Sequence, residues 1–208
     1  MLPSIMSARN APSFIAGAVA GLMFLVFISA AMLQDRSQVL VYLRDPAAHF
    51  KFSPFAGVIS NLGVLATFGS AVICLFAARH VRAEAAMLRA IGLFGLLLSF
   101  DDLLMLHEDT LPNRLGLPEY LAYLIYAGIA LYIAVRFRDR LASTPLAGLF
   151  LALVFLGSSV MVDALTEFGN LQTVIEDGLK FVGLMVWSAY WVNRAHAALS
   201  AQSRIAQV

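Results

Sequence analysis

Met87-Leu-Arg-Ala-Ile-Gly-Leu-Phe-Gly-Leu-Leu-Leu-Ser-Phe-Asp-Asp-Leu-Leu-Met-Leu-His-Glu-Asp109 is the stretch on which the reading of the chain turns. It begins as an apolar run that carries only Arg89 near its start. It then delivers Asp101, Asp102, His107, Glu108 and Asp109 in quick succession. In water such an ending is ordinary. At the end of a membrane-crossing helix it is costly, because an ionised side chain near the bilayer centre loses about 2.5–3.5 kcal/mol even on the lenient insertion scales. Residues of this kind are therefore expected to face a helix-bundle interior and to find partners there.

The composition around this stretch points the same way. Of 208 residues, 61% are hydrophobic and 13% are charged. The mean hydropathy is +0.82, whereas soluble domains sit near about 45–50% apolar. The expected fold class is all-α: a polytopic integral membrane protein built as a six-transmembrane-helix bundle, a single domain over 1–208. A span needs about 20 mostly apolar residues, and the six stretches that qualify are 14–33, 55–78, 87–107, 120–137, 145–165 and 174–193. The first is too long for the apolar core of a signal peptide. A net charge of +1 offers no electrostatic case for nucleic acid. The single cysteine, Cys74, excludes an intramolecular disulfide and argues against a thiolate metal site.

Arginine and lysine placement sets the expected orientation. With both termini cytoplasmic, the inner side holds Arg9, Arg79, Arg82, Arg89, Arg136, Arg138, Arg140, Arg194 and Arg204, nine against five outside. Eleven of the thirteen acids then fall on the outer side. The localisation this implies is a multi-pass protein of a bacterial-type inner membrane, with its site toward the periplasm or exterior. The loop 34–54 is read either as a helix along the membrane surface or as a plain linker.

Three spans bring acids to the same outer level. The third carries Asp101, Asp102, His107 and Glu108, the fifth Asp163 and Glu167, the sixth Glu176, Asp177 and Lys180. Asp101 and Glu108 lie two turns apart on one helix face, and Glu176 and Lys180 are i,i+4 neighbours. His107 lies off the Asp101 face and reaches it only if the helix end unwinds. Like charges gathered this closely call for cations. Carboxylates with one imidazole suit a divalent metal: iron, manganese, calcium or magnesium. Zinc fits less well, since it prefers more His or Cys. The expected metal ligands are Asp101, Asp102, Glu108, Asp163 and Glu167, and the expected catalytic residues are His107, Glu176 and Lys180. Asp109, Glu119 and Asp177 read equally as solvated boundary charges. Tyr120, Tyr123 and Tyr126 read first as an interfacial aromatic belt and second as supporting groups for the site.

The function expected from this pattern is a metal-dependent membrane enzyme, a hydrolase or di-metal oxidoreductase, acting on a lipid or amphiphilic substrate near headgroup depth. Two alternatives stand beside it. One is a proton- or cation-coupled transporter, which the apolar inner halves of the spans disfavour. The other is an accessory subunit of a larger membrane complex, in which Trp187, Tyr190 and Trp191 anchor to lipid or a partner. The partners expected are membrane lipids and a lipid-like substrate, with a homo-oligomer or partner membrane subunit left open. Glycines 57, 63, 69, 92, 95, 157 and 183 read as points of close helix packing.

Overall fold

The computed structural model describes residues 11–34, 44–165 and 169–205. Every regular element among them is helical. In chain order these are α1 (Ala11–Gln34), α2 (Pro46–Phe50), α3 (Val58–His80), α4 (Ala85–Leu103), a π-helix π1 (Leu106–Arg114), α5 (Tyr120–Arg136), α6 (Arg138–Ala142), α7 (Ala147–Leu165) and α8 (Asn170–Ile205). The chain divides into two compact units, Met1–Ala56 and Gly57–Val208. The first holds α1 and α2. Asp45 caps α2 by accepting from the Ala48 amide at 3.1 Å, and Pro46 occupies its first turn.

In the second unit α3 packs on α4 and on α8, and α7 packs on α8. Small residues make the α3–α4 contact close. A side chain at Gly92 would place its Cβ 2.6 Å from Leu75 Cγ and 2.9 Å from the Ala71 carbonyl oxygen. At Gly95 it would meet Ala71 Cβ at 2.9 Å, and at Gly183 on α8 it would meet Leu156 Cγ of α7 at 2.8 Å. These three glycines, with Gly63, are the packing points the sequence suggests. Gly69 and Gly157 are not, because a Cβ there meets nothing within 4 Å.

The core lies toward the end of α3 at His80, where Cys74, Ala77, Met87, Leu88, Trp187 and Trp191 are buried together. The tryptophans are therefore neither lipid anchors nor a partner surface. Trp191 is 1% exposed, and the rings stack edge-on in series from Phe94 through Trp187 and Trp191 to Tyr190. A polar clamp closes this end. Arg194 of α8 donates Nε and Nη2 to the Glu84 carboxylate at 2.8 and 3.0 Å, and Nη2 also to the Arg140 carbonyl at 2.9 Å. Arg140 in turn donates to the Ala83 carbonyl. Arg194, which in the sequence only marks a membrane side, is a buried structural residue.

The six-span expectation does not hold. Among the described residues α3 alone is long and apolar enough to cross a membrane, a test that the core helix of a soluble protein can also pass. The third expected span breaks. α4 ends at Leu103, Met105 adopts a left-handed conformation (φ 49°), and π1 leaves at 63° to α4. Only the bent pair taken as one element passes the same test. α5 is 17 residues long, and the apolar part of α7 ends at Asp163. In α8 Glu176, Asp177 and Lys180 interrupt the apolar run. Membrane localisation reduces to one helix able to cross, and a topology with both termini cytoplasmic, which rests on an even number of crossings, loses its basis.

Candidate functional site

The break after α4 builds the site. Had α4 continued, His107 would have pointed away from Asp101. Instead Met105 turns the chain, and Pro112, which has no amide proton to donate, sits inside the wide turns of π1. His107 swings back so that Nδ1 lies 2.5 Å from Asp101 Oδ2. Both residues are buried, at 7% and 3% exposure. Nδ1 is engaged by the Asp101 carboxylate, and Nε2, the other ring nitrogen, lies 3.5 Å from Glu108 Oε1.

Lys180 of α8 completes the arrangement. Its ammonium donates to Asp102 Oδ1 and stands 3.5 Å from Glu108 Oε1. The polar side chains thus run in sequence from Asp101 through His107, Glu108 and Lys180 to Asp102. From α5, the Tyr123 hydroxyl donates to Glu119 Oε1 at 2.8 Å and lies 3.3 Å from Asp163 Oδ2. Its ring is 5.5 Å from that of His107. Tyr126 of the same helix stands at the Asp101 carboxylate, whose Oδ1 is enclosed by protein.

These contacts set the protonation of the site. Burial opposes charge on His107, but the Asp101 carboxylate outweighs it and holds the imidazole above its ordinary range. Burial also opposes charge on Lys180, and Asp102 with Glu108 keeps the ammonium protonated. Glu176 is pushed up by burial first, then by the negative charges of Asp163 and Asp177.

Beside the polar group lies a cavity of about 660 Å³, within the size range of small-molecule sites. Its apolar walls are Phe94 and Leu98 of α4, Ala127 and Ala130 of α5, Leu153 and Leu156 of α7, and Leu184 and Trp187 of α8. Its polar end carries Asp101, Asp102, His107, Asp163, Glu176 and Lys180, with Tyr120, Tyr123 and Tyr126. Gly157 lines it too, and its missing side chain leaves space rather than admitting a helix.

Of the expected site residues, Asp101, Asp102, His107, Glu108, Asp163, Glu176 and Lys180 come together around this cavity. Glu167 lies outside the described residues. The metal centre expected of Asp101, Asp102, Glu108 and Asp163 is not assembled. No group of three or more His, Cys, Asp or Glu among the described residues is disposed to hold an ion. The reason is local: Asp101 engages His107, Asp102 engages Lys180 and Asp163 faces Tyr123, so the oxygens answer protein donors and do not converge on one point. The sequence reading missed the cavity itself and the direct part played by Tyr123 and Tyr126. Their spacing of three on the first turns of α5 is the one signal that puts both on a single face. Asp109 turns aside to Asn113 and Arg114.

The comparisons with curated proteins and with solved structures returned no match. The family model described as a domain of unknown function, DUF8692, matches residues 14–193, and the chain belongs to that family.

Proposed function

We propose that this protein binds an amphiphile, with the apolar tail in the cavity and the head at the Asp101–His107 pair, and hydrolyses a bond near that head by general acid–base chemistry. The observation that carries the reading is the buried Asp101–His107 pair at the polar end of a cavity whose other walls are apolar. A carboxylate that fixes one imidazole nitrogen leaves the other, here beside Glu108, to act as a base. In the proposed step, Nε2 takes a proton from water and the resulting hydroxide adds to an ester or amide carbonyl. When the bond to the leaving group breaks, the imidazolium returns that proton to the departing oxygen or nitrogen. Lys180, already held by Asp102 and Glu108, supplies positive charge beside the oxygen that becomes negative.

The same reading places the protein at a membrane through α3. Leu65, Phe68, Val72 and Phe76 form an outward apolar stripe on that helix, and Arg79 and Arg82 gather at its His80 end. Positive charge favours the cytosolic side. The opposite end of α3, where Ile59, Ser60 and Gly63 line a small cleft with Asp102 and Lys180, then lies at the other face with the site.

The test is incubation of the purified protein with mixed lipid vesicles, followed by mass spectrometry of lipids and released products. Turnover that is lost in His107→Ala and reduced in Asp101→Asn, with both variants folded by circular dichroism, is the expected result. Turnover unaffected by His107→Ala overturns the acid–base assignment.

A further inference from the structure

Three serine and threonine side chains line the cavity: Thr67 of α3, Ser99 of α4 and Ser159 of α7. All are buried, at 1%, 3% and 4% exposure. A hydroxyl buried on a helix ordinarily donates to a carbonyl of the preceding turn. Thr67 does so to Gly63 at 3.0 Å, and Ser99 to Gly95 at 2.7 Å. Ser159 does not, and its hydroxyl makes no hydrogen bond among the described residues. Nor is its oxygen sealed away. The buried side-chain atoms there with neither a partner nor open surface are Asp101 Oδ1, Ser188 Oγ, Trp191 Nε1 and Arg194 Nη1. Ser159 Oγ keeps surface, and the space it meets is the cavity. A buried hydroxyl without a partner is costly, and an acceptor on a cavity ligand removes that cost.

The position of Ser159 says which acceptor. Leu156, Ser159 and Asp163 recur at i, i+3 and i+7 on α7, one face of the helix. That wall of the cavity passes from leucine to hydroxyl to carboxylate. Ser159 lies about 6 Å along the axis from Asp163, at the level where the walls turn apolar. A neutral carbonyl oxygen suits this level. It takes a hydroxyl proton without bringing a charge that the apolar walls would strip of water.

We infer that Ser159 is a substrate-binding residue, its hydroxyl donating to a carbonyl oxygen at the root of the ligand's chain. The substrate class is then a fatty-acyl ester or amide rather than an alkyl ether or a free long-chain alcohol. This rests on the amphiphile reading above and adds the residue that reads the acyl carbonyl. In the hydrolysis proposed there the same oxygen gains negative charge, and the bond from Ser159 strengthens with it.

The experiment uses the full-length protein in a neutral maltoside detergent and two probes of one skeleton, 2-dodecanone and dodecane. Neither can be hydrolysed, and only the first carries a carbonyl. Binding is read from the fluorescence of Trp187, which lines the cavity. Comparison of the parent with Ser159→Ala cancels partition into detergent. The variant is expected to bind 2-dodecanone about three- to tenfold more weakly and dodecane as the parent does. Infrared spectroscopy should show the carbonyl band of bound 2-dodecanone at lower frequency in the parent than in Ser159→Ala. Because the hydroxyl has no protein partner to lose, the variant should melt no lower than the parent. Equal loss for both probes, no loss for either, an unmoved carbonyl band or a destabilised variant overturns the Ser159 assignment and leaves the amphiphile reading standing. No binding of either probe to the parent overturns both.

Discussion

Gly92→Ala is the sharpest probe of the scaffold that presents Asp101. The added methyl group would sit 2.6 Å from Leu75 Cγ and 2.9 Å from the Ala71 carbonyl oxygen. The leucine can rotate away, but the carbonyl belongs to the α3 backbone and moves only if the helices separate. Overpacking of this kind costs about 1–3 kcal/mol, and replacing a mid-helix glycine by alanine returns about 1 kcal/mol of helix propensity. With a backbone atom as the obstacle the cost lies toward the upper end, so the net loss is about 1–2 kcal/mol. Gly69→Ala, on α3 itself, is the matched control. Its Cβ meets nothing within 4 Å, so it should keep the propensity gain of about 1 kcal/mol. The two variants should differ by about 2–3 kcal/mol, which for a chain of this length is about 4–12 °C in Tm. Thermal unfolding followed by tryptophan fluorescence measures it, since Trp187 and Trp191 are both in the core. If Gly92→Ala melts at or above the parent temperature, α3 and α4 do not approach as described and the placement of Asp101 fails with them.

Arg194→Met should destabilise by about 1–3 kcal/mol, because the partly exposed Glu84 carboxylate loses the two hydrogen bonds from the guanidinium that faces it. Arg138→Met, at an ion pair in open solvent, should change the melting temperature little. Because His107 is held above its ordinary value of 6.5 by Asp101, its pairing stabilises the fold fully below that pH. The contribution is lost as pH rises through the raised value, and Asp101→Asn should flatten that decline in melting temperature measured against pH. Hydrolysis should rise with pH over the same interval as the imidazole loses its proton, and in Asp101→Asn the rise should move to lower pH. Gly157→Met projects into the cavity without a clash at Cβ. It should leave stability near that of the parent while weakening binding of a single-chain probe such as dodecanol; unchanged affinity would place the tail elsewhere.

Much of the site was legible residue by residue. Seven of the eight expected positions lie around one cavity, because acids and a lysine recurring at helical spacing in otherwise apolar helices have few places to go but inward. Their chemistry was not legible. Residue type alone suggested a metal to neutralise the carboxylates, whereas among the described residues Lys180 pairs with Asp102, His107 pairs with Asp101, and Asp163 faces only a neutral hydroxyl, that of Tyr123. Asp101 and His107 are six positions apart, out of phase on a regular helix, and only the left-handed turn at Met105 joins them. Trp187 and Trp191 carry the same lesson: amphipathic rings near a helix end suit an interface and a core equally, and packing decided for the core.

Composition and hydropathy determined that the chain is helical, since long apolar runs can satisfy their backbone groups locally only by coiling. They also fixed which few polar residues must seek partners. How many helices cross a membrane was not settled by apolar length, because the positions at which helices start, break and take in charge decide it. The cavity, lined by α4, α5, α7 and α8, and the Asp101–His107 pair, which joins α4 to π1, are properties of several elements together. They exist only once Gly92, Gly95 and Gly183 let backbones approach while Gly157 holds space open, a distinction between identical residues that no single position carries in itself.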